Sequence, residues 1–178
     1  MVWTGGGFDP GELAPMLLRA LAADVPLSPD PQGDALLRER LAQAAAPPPA
    51  QPVSLLPALA AQISGRDYRF AENELGVRSL GLVFASSEAR VRLGLGDEVI
   101  EIPVGLDGVY RLGSTPIDGL PPGARGFWKG PDEFVLDLNL IGKIDRFLLS
   151  LNFRGDRLAV RVERPRGGTL ELAGEASH

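Results

Sequence analysis

Phe147-Leu148-Leu149-Ser150-Leu151-Asn152-Phe153-Arg154-Gly155-Asp156-Arg157-Leu158-Ala159-Val160-Arg161-Val162-Glu163 is the stretch that decides the fold. Phe147, Leu149, Leu151 and Phe153 recur at every second position, and Leu158, Val160 and Val162 do the same after them. Successive side chains on a strand point to opposite faces, so each run buries one face and wets the other. Gly155-Asp156 has the composition of a two-residue hairpin loop. The stretch therefore reads as two antiparallel strands, 147–154 and 157–163, with one shared apolar face.

The same period extends outward. Leu80, Leu82 and Phe84 share a face; so do Val91, Leu93 and Leu95, then Ile100, Ile102 and Val104. Phe134, Leu136, Leu138 and Leu140 make another set, and Leu170 with Leu172 closes the series. Arg90, Arg92, Asp137, Asn139, Arg161, Glu163 and Glu171 fill the intervening positions. Gly96-Asp97, Gly130-Pro131-Asp132 and Gly142-Lys143 mark reversals, and Asp107-Gly108 suits a type I′ hairpin. Roughly eight or nine strands in about 110 residues predict an antiparallel up-and-down barrel or a sandwich. A barrel of about eight strands either fills its interior with side chains or leaves room for one small ligand.

Before residue 63 the character changes to Ala, Leu and Pro, which predicts a lead-in over 1–62 and a β domain over 63–178. Val2-Trp3 followed by Gly5-Gly6-Gly7 reads as a short strand and a tight turn. It has neither the Lys-Ser/Thr ending of a phosphate loop nor its glycine spacing. Asp9-Pro10-Gly11-Glu12 resembles a helix start, with Leu13, Met16, Leu17, Ala20 and Leu21 on one stripe and Val25-Pro26 as the stop. Pro15 lacks the amide hydrogen of an interior position, so the helix starts either at Asp9-Pro10 or only at Pro15 itself. Asp30-Pro31 caps a second helix to about Ala46, Pro47 to Pro52 reads as a semi-rigid spacer, and Ser54 caps a short helix through Leu59 and Ile63.

Composition excludes several chemistries. The 178 residues carry no cysteine, so disulfides, thiolate catalysis and Cys-based metal sites are out, and the single histidine is the last residue, His178. The net charge is −5, and Arg92, Arg146, Arg157 and Arg161 are scattered as a solvated strand face, which argues against nucleic acid. No apolar run approaches the ~20 residues that span a bilayer. The first residues lack the basic start of a leader, so a complete chain would be cytoplasmic, whereas a piece of a longer secreted enzyme would be extracytoplasmic.

Neither S-x-x-K nor G-x-S-x-G occurs, and H-E-x-x-H and calcium-loop spacings are missing too. The acidic neighbours Asp97-Glu98 and Asp132-Glu133 fall in turns and solubilise them. They do not frame a substrate as a carboxylate pair must. Phe127 and Trp128 diverge on a strand, one toward the core and one outward, with a ligand-contacting Trp as the sharper alternative. No catalytic, cofactor or metal residue is assigned, and no cofactor is implied.

Segments along the chain resemble the C-terminal part of serine β-lactamase-related hydrolases, the penicillin-binding-protein and class C-like group. They are Val2 to Asp9, Ile63 to Phe70, Glu74 to Leu80, Ile102 to Tyr110, and Phe134 to Asp145 with Phe147. The resemblance implies a lipocalin-like C-terminal barrel after the end of a catalytic domain. The family's catalytic Ser, Lys and Tyr would lie upstream, and Trp3-Thr4-Gly5 does not stand in for its third motif.

Two functions are expected. One is a non-catalytic accessory barrel that packs on or gates a serine-hydrolase catalytic domain, or pairs with a second copy, through Leu13, Leu17 and Leu21. The other is a stand-alone lipocalin-like binder of a small apolar ligand. The binder needs an internal cavity of roughly 300 Å³ or more, and a barrel packed solid with Leu and Phe would rule it out.

Overall fold

Every alternating run is a strand. The computed structural model describes residues 11, 13–20, 28–46, 48–142, 146–164 and 168–177. Helices α1 (Leu13–Ala20), α2 (Pro31–Ala45) and α3 (Ala58–Ile63) come first. Ten strands come after them: β1 (Asp67–Phe70), β2 (Val77–Phe84), β3 (Glu88–Leu95), β4 (Glu98–Gly105), β5 (Arg111–Leu112), β6 (Pro122–Trp128), β7 (Glu133–Leu140), β8 (Arg146–Arg154), β9 (Arg157–Glu163) and β10 (Thr169–Ala176).

Neighbouring strands run β4-β3-β2-β1-β10-β9-β8-β7-β6, and β6 meets β4 again. Nine strands thus close into a mainly β, lipocalin-like up-and-down barrel, with β5 as an extra strand on β6. The ladders are antiparallel except at one place. There β4 and β6 run parallel and their backbones pair only at Gly105↔Arg125, because the chain returns through β5 before β6 begins. The expected all-antiparallel barrel is therefore mixed at this seam.

The expected inward faces all point inward. Leu80, Val91, Ile102, Phe134, Leu151 and Leu158 are fully buried in one core, and Phe84, Leu95, Phe147, Leu170 and Leu172 pack against it. Burying each such side chain stabilises the fold by roughly 1.5–3 kcal/mol, which sets the register of every strand. β9 shows the alternation without a break, exposed and buried residues taking turns from Arg157 to Glu163.

Several turns form as expected and one does not. Gly155 has φ 60°, and Arg154 pairs with Arg157 across the two-residue loop; Gly96, at φ 59°, serves Leu95↔Glu98 in the same way. Asp107-Gly108 does not make a type I′ hairpin, since only Gly108 has positive φ and that turn needs two such residues. Asp107 instead accepts the Val109 N–H at 3.1 Å and binds Arg111 at 2.8 Å. The paired positive φ values fall at Asp118 (51°) and Gly119 (77°), inside a turn bridged by Ile117↔Leu120.

The chain divides into two compact units, Met1–Pro48 and Pro49–His178. Residues 49–62 thus belong with the barrel rather than with the lead-in. Gln51 donates its N–H to Asp107 O at 2.8 Å, so part of the expected spacer is stitched to the barrel unit. Helix α3 buries Ala60 and Ile63. Just beyond it, Ser64 Oγ accepts the Phe84 N–H at 3.0 Å and Gly65 donates to Leu82 O at 2.8 Å. Pro57, without a side-chain bond, starts α3; Ser54 does not cap it.

In the first unit, α1 begins at Leu13 rather than Pro15. Pro15 is its third residue, where a missing N–H costs no helical bond. Asp30 caps α2, accepting the Gly33 N–H at 2.9 Å, and none of the described α2 side chains is buried. Of the expected stripe on the first helix, Leu17 is exposed, while the Leu13 side chain and Leu21 lie outside the described residues. Val2-Trp3, the Gly5-Gly6-Gly7 turn, Val25-Pro26 and His178 lie outside them as well. Among the described residues no helix is long and apolar enough to cross a membrane.

Candidate functional site

The two ends of the barrel are packed differently. At the end where β2 stops and β7 starts, the interior is filled by rings. Phe84, Trp128 and Phe134 lie 5.3–5.4 Å apart, Phe153 lies 6.3 Å from Trp128, and Tyr68 lies 5.6 Å from Phe153. Small residues on β6 make room for them: a Cβ on Gly126 would sit 2.5 Å from the Phe134 ring. Trp128 is therefore part of the core and Phe127 is its outward, exposed neighbour. Tyr68 Oη and Trp128 Nε1 are buried in this aromatic layer without a hydrogen-bond partner among the described residues.

Toward the other end the side chains become mostly aliphatic and stop short of filling the lumen. A cavity of about 450 Å³ opens there. Its walls are Leu80 and Leu93 on β2 and β3, Leu138 and Leu140 on β7, and Phe147 and Leu149 on β8. Val160, Val162, Leu172 and Phe70 complete them from β9, β10 and β1. Each occupies an inward position of its strand, so the strand period that builds the core also lines this space.

Loops form the mouth. The β1–β2 connection supplies Glu74, Leu75 and Gly76, the β3–β4 turn supplies Gly96, and the segment before β6 supplies Ile117 and Asp118. Asn73 shapes the first of these: its side chain accepts the Leu75 and Val77 N–H groups at 3.1 and 3.2 Å. It donates to Ala71 O at 2.9 Å and to Val77 O at 2.7 Å. Arg164 Nη1 meets Glu74 Oε2 at 3.0 Å. No Ser, Thr, Cys, His, Lys or Arg side chain lines the cavity among the described residues. Chemically it is suited to hold an apolar molecule, and its only ionisable groups among those residues are the carboxylates of Glu74 and Asp118.

The acidic pairs weighed in the sequence sit apart from it. Only Asp97 and Asp132 lie in turns, at opposite ends of the strands; Glu98 opens β4, and Glu133 opens β7 and bonds Lys129 at 3.4 Å. Among the described residues no group of three or more His, Cys, Asp or Glu could hold a metal.

A second polar cluster, on the outer wall, escaped the sequence reading. Asp137 occupies an outward position on β7 yet is 3% exposed. It accepts from Arg146 at both oxygens at 2.8 Å, from Arg125 Nε at 2.9 Å and from the Tyr110 hydroxyl at 2.8 Å. Arg146 is thus a partner of a buried carboxylate and not part of a merely solvated face. Burial alone would lift the Asp137 carboxyl, but the hydrogen bonds from Arg146, Tyr110 and Arg125 outweigh it and hold the group below the usual carboxylate range. Nothing in the alternation pattern separates Asp137 from a solvated strand aspartate.

No protein-family model and no curated protein matches the chain. Among solved structures, it is similar to secretory abundant heat soluble protein 4 from Ramazzottius varieornatus, at 14% identity and a TM-score of 0.45. The likeness covers 56% of this chain and 70% of that one.

Proposed function

We propose that the barrel is a binding module that takes a small apolar molecule into its lumen. The observation that carries the reading is the cavity of about 450 Å³ with an apolar wall. Ligand sites typically start near 300 Å³ and are lined mostly by apolar side chains, with a few polar groups to orient the guest. A barrel packed throughout like its aromatic end would have no such function.

Titration with the neutral dye Nile red tests it. The expected result is a blue-shifted emission that saturates at one dye per chain. Leu149→Trp, which projects a larger side chain into the cavity, should abolish the signal while leaving the far-ultraviolet circular dichroism unchanged. Absence of saturable binding by the folded wild-type chain would refute the proposal.

A second reading is supported by a different observation. Leu36, Leu37 and Leu41 of α2, like Met16 and Leu18 of α1, are exposed, which suits helices that dock elsewhere. On this reading the barrel is an accessory module of a serine β-lactamase-related hydrolase, packing on or gating its catalytic domain or self-associating. Sedimentation velocity checks self-association: Leu37→Glu with Leu41→Glu should dissociate an oligomer, and a wild-type monomer at high concentration removes that option. Reading the coding frame upstream of Met1 for S-x-x-K and the family's Tyr motif checks the lineage.

A further inference from the structure

The mouth of the same cavity bears on the polar end of the guest, provided that the lumen is a ligand site as proposed above. A guest that fills this apolar lumen leaves its head group among Glu74, Gly76, Gly96, Ile117 and Asp118. The two carboxylates there differ. Glu74 is already matched by Arg164 at 3.0 Å, whereas Asp118 has no ion-pair partner among the described residues. Asp118 is also fixed in place. It occupies the first position of the turn with paired positive φ values (51° and 77°), bridged by Ile117↔Leu120, and Ile117 packs against the core.

We infer that the lumen selects by head-group charge: it takes an alkyl-like molecule ending in an amine, accepts the uncharged alcohol less well, and disfavours the carboxylate of the same length. A carboxylate at the mouth would lie beside Asp118. No hydroxyl, amide or basic side chain among the described lining residues would compensate it. Like charges at close range, or an unpaired anion drawn into an apolar site, are both unfavourable. An ammonium gains the same Asp118 charge as a partner.

The test is competition of decylamine, decanol and decanoate against Nile red at neutral pH, each below its micelle concentration. Decylamine should displace the dye at a concentration about tenfold lower than decanoate, with decanol between them. Asp118→Asn is the informative variant, because Asn also tolerates the left-handed backbone and the turn is kept. It should bring the amine and the acid within about threefold of each other and leave decanol unchanged.

Equal displacement by all three, or an amine preference that survives Asp118→Asn, overturns the inference while the ligand reading stands. So does decanoate as the tightest guest. If the folded chain binds neither the dye nor any of the three, the ligand reading itself fails and this inference fails with it.

Discussion

Arg146 grips Asp137 with both prongs of its guanidinium, Nε 2.8 Å from Oδ1 and Nη2 2.8 Å from Oδ2. The pair stands where the barrel is weakest. Between β4 and β6 there is one parallel bridge, Gly105↔Arg125, in place of a ladder. Arg125 of that bridge also donates to Asp137, donates to Gly108 O at 3.0 Å and lies over the Tyr110 ring at 4.6 Å. One buried carboxylate thereby ties β6, β7, β8 and the chain before β5 together.

Asp137→Ala should cost about 2–3 kcal/mol, because two partly exposed arginines and a tyrosine lose their shared acceptor beside a seam with little backbone pairing. Arg146→Ala should cost less, about 1–2 kcal/mol, since Arg125 and Tyr110 still satisfy the carboxylate. Urea unfolding of the three proteins reads both values. A loss under about 1 kcal/mol for Asp137→Ala would show that the network does not hold the seam.

Acid should weaken the same network. The folded Asp137 titrates below its unfolded value, so its contribution is present above the ordinary carboxylate range and disappears as pH falls through the folded pKa. Asp107, held down chiefly by its hydrogen bond from Arg111, adds in the same direction. Urea midpoints measured from neutral pH downward should drop below about pH 4. Asp137→Asn should flatten that slope.

Alkali acts through the two tyrosines, Tyr68 and Tyr110, the only ones in the chain. Burial lifts both phenols; the hydrogen bond to Asp137 lifts Tyr110 further, and Arg66 only partly offsets the rise at Tyr68. A raised folded pKa means the stabilisation is intact below the unfolded value and is lost as pH climbs through the folded one. Tyrosinate absorbance should therefore stay flat to about pH 10 and then rise together with unfolding. A gradual rise centred at the free phenol value in a chain that is still folded would contradict this.

Gly126 and Gly130 make a matched pair. A methyl group on Gly126 would meet the Phe134 ring at 2.5 Å and the Val135 carbonyl at 2.8 Å, whereas on Gly130 the nearest atom is Asp132 Oδ1 at 3.9 Å. Gly126→Ala should cost about 1–3 kcal/mol and Gly130→Ala no more than about 0.5 kcal/mol. Thermal melts of the two variants decide it.

The strands legible in the sequence are those with two to four apolar residues in period. β6 is not among them: ahead of Trp128 its inward positions are Ala124 and Gly126, small residues that carry almost no hydrophobic signal, and Gly126 yields space to the Phe134 ring. The mouth is half legible. Asp118-Gly119 has the same composition as Asp107-Gly108, yet only the former adopts paired positive φ, because Asp107 is held by Val109 and Arg111 instead. The alternation identifies most of the cavity-lining leucines and valines as inward, but nothing in their spacing distinguishes a filled layer from a hollow one.

Period-two alternation belongs to each strand alone, since side-chain direction follows from local backbone geometry. The sequence by itself therefore determined which residues face the barrel interior, where most of the hairpins reverse and that the core is β. Only the tertiary structure decided that the ring closes through Gly105↔Arg125, that Asp137 is buried, and that rings fill one end while about 450 Å³ stays open at the other. Those outcomes depend on groups far apart in the chain, such as Tyr110, Arg125 and Arg146 around one carboxylate. They also depend on the summed volumes of side chains from nine strands, which no local pattern records.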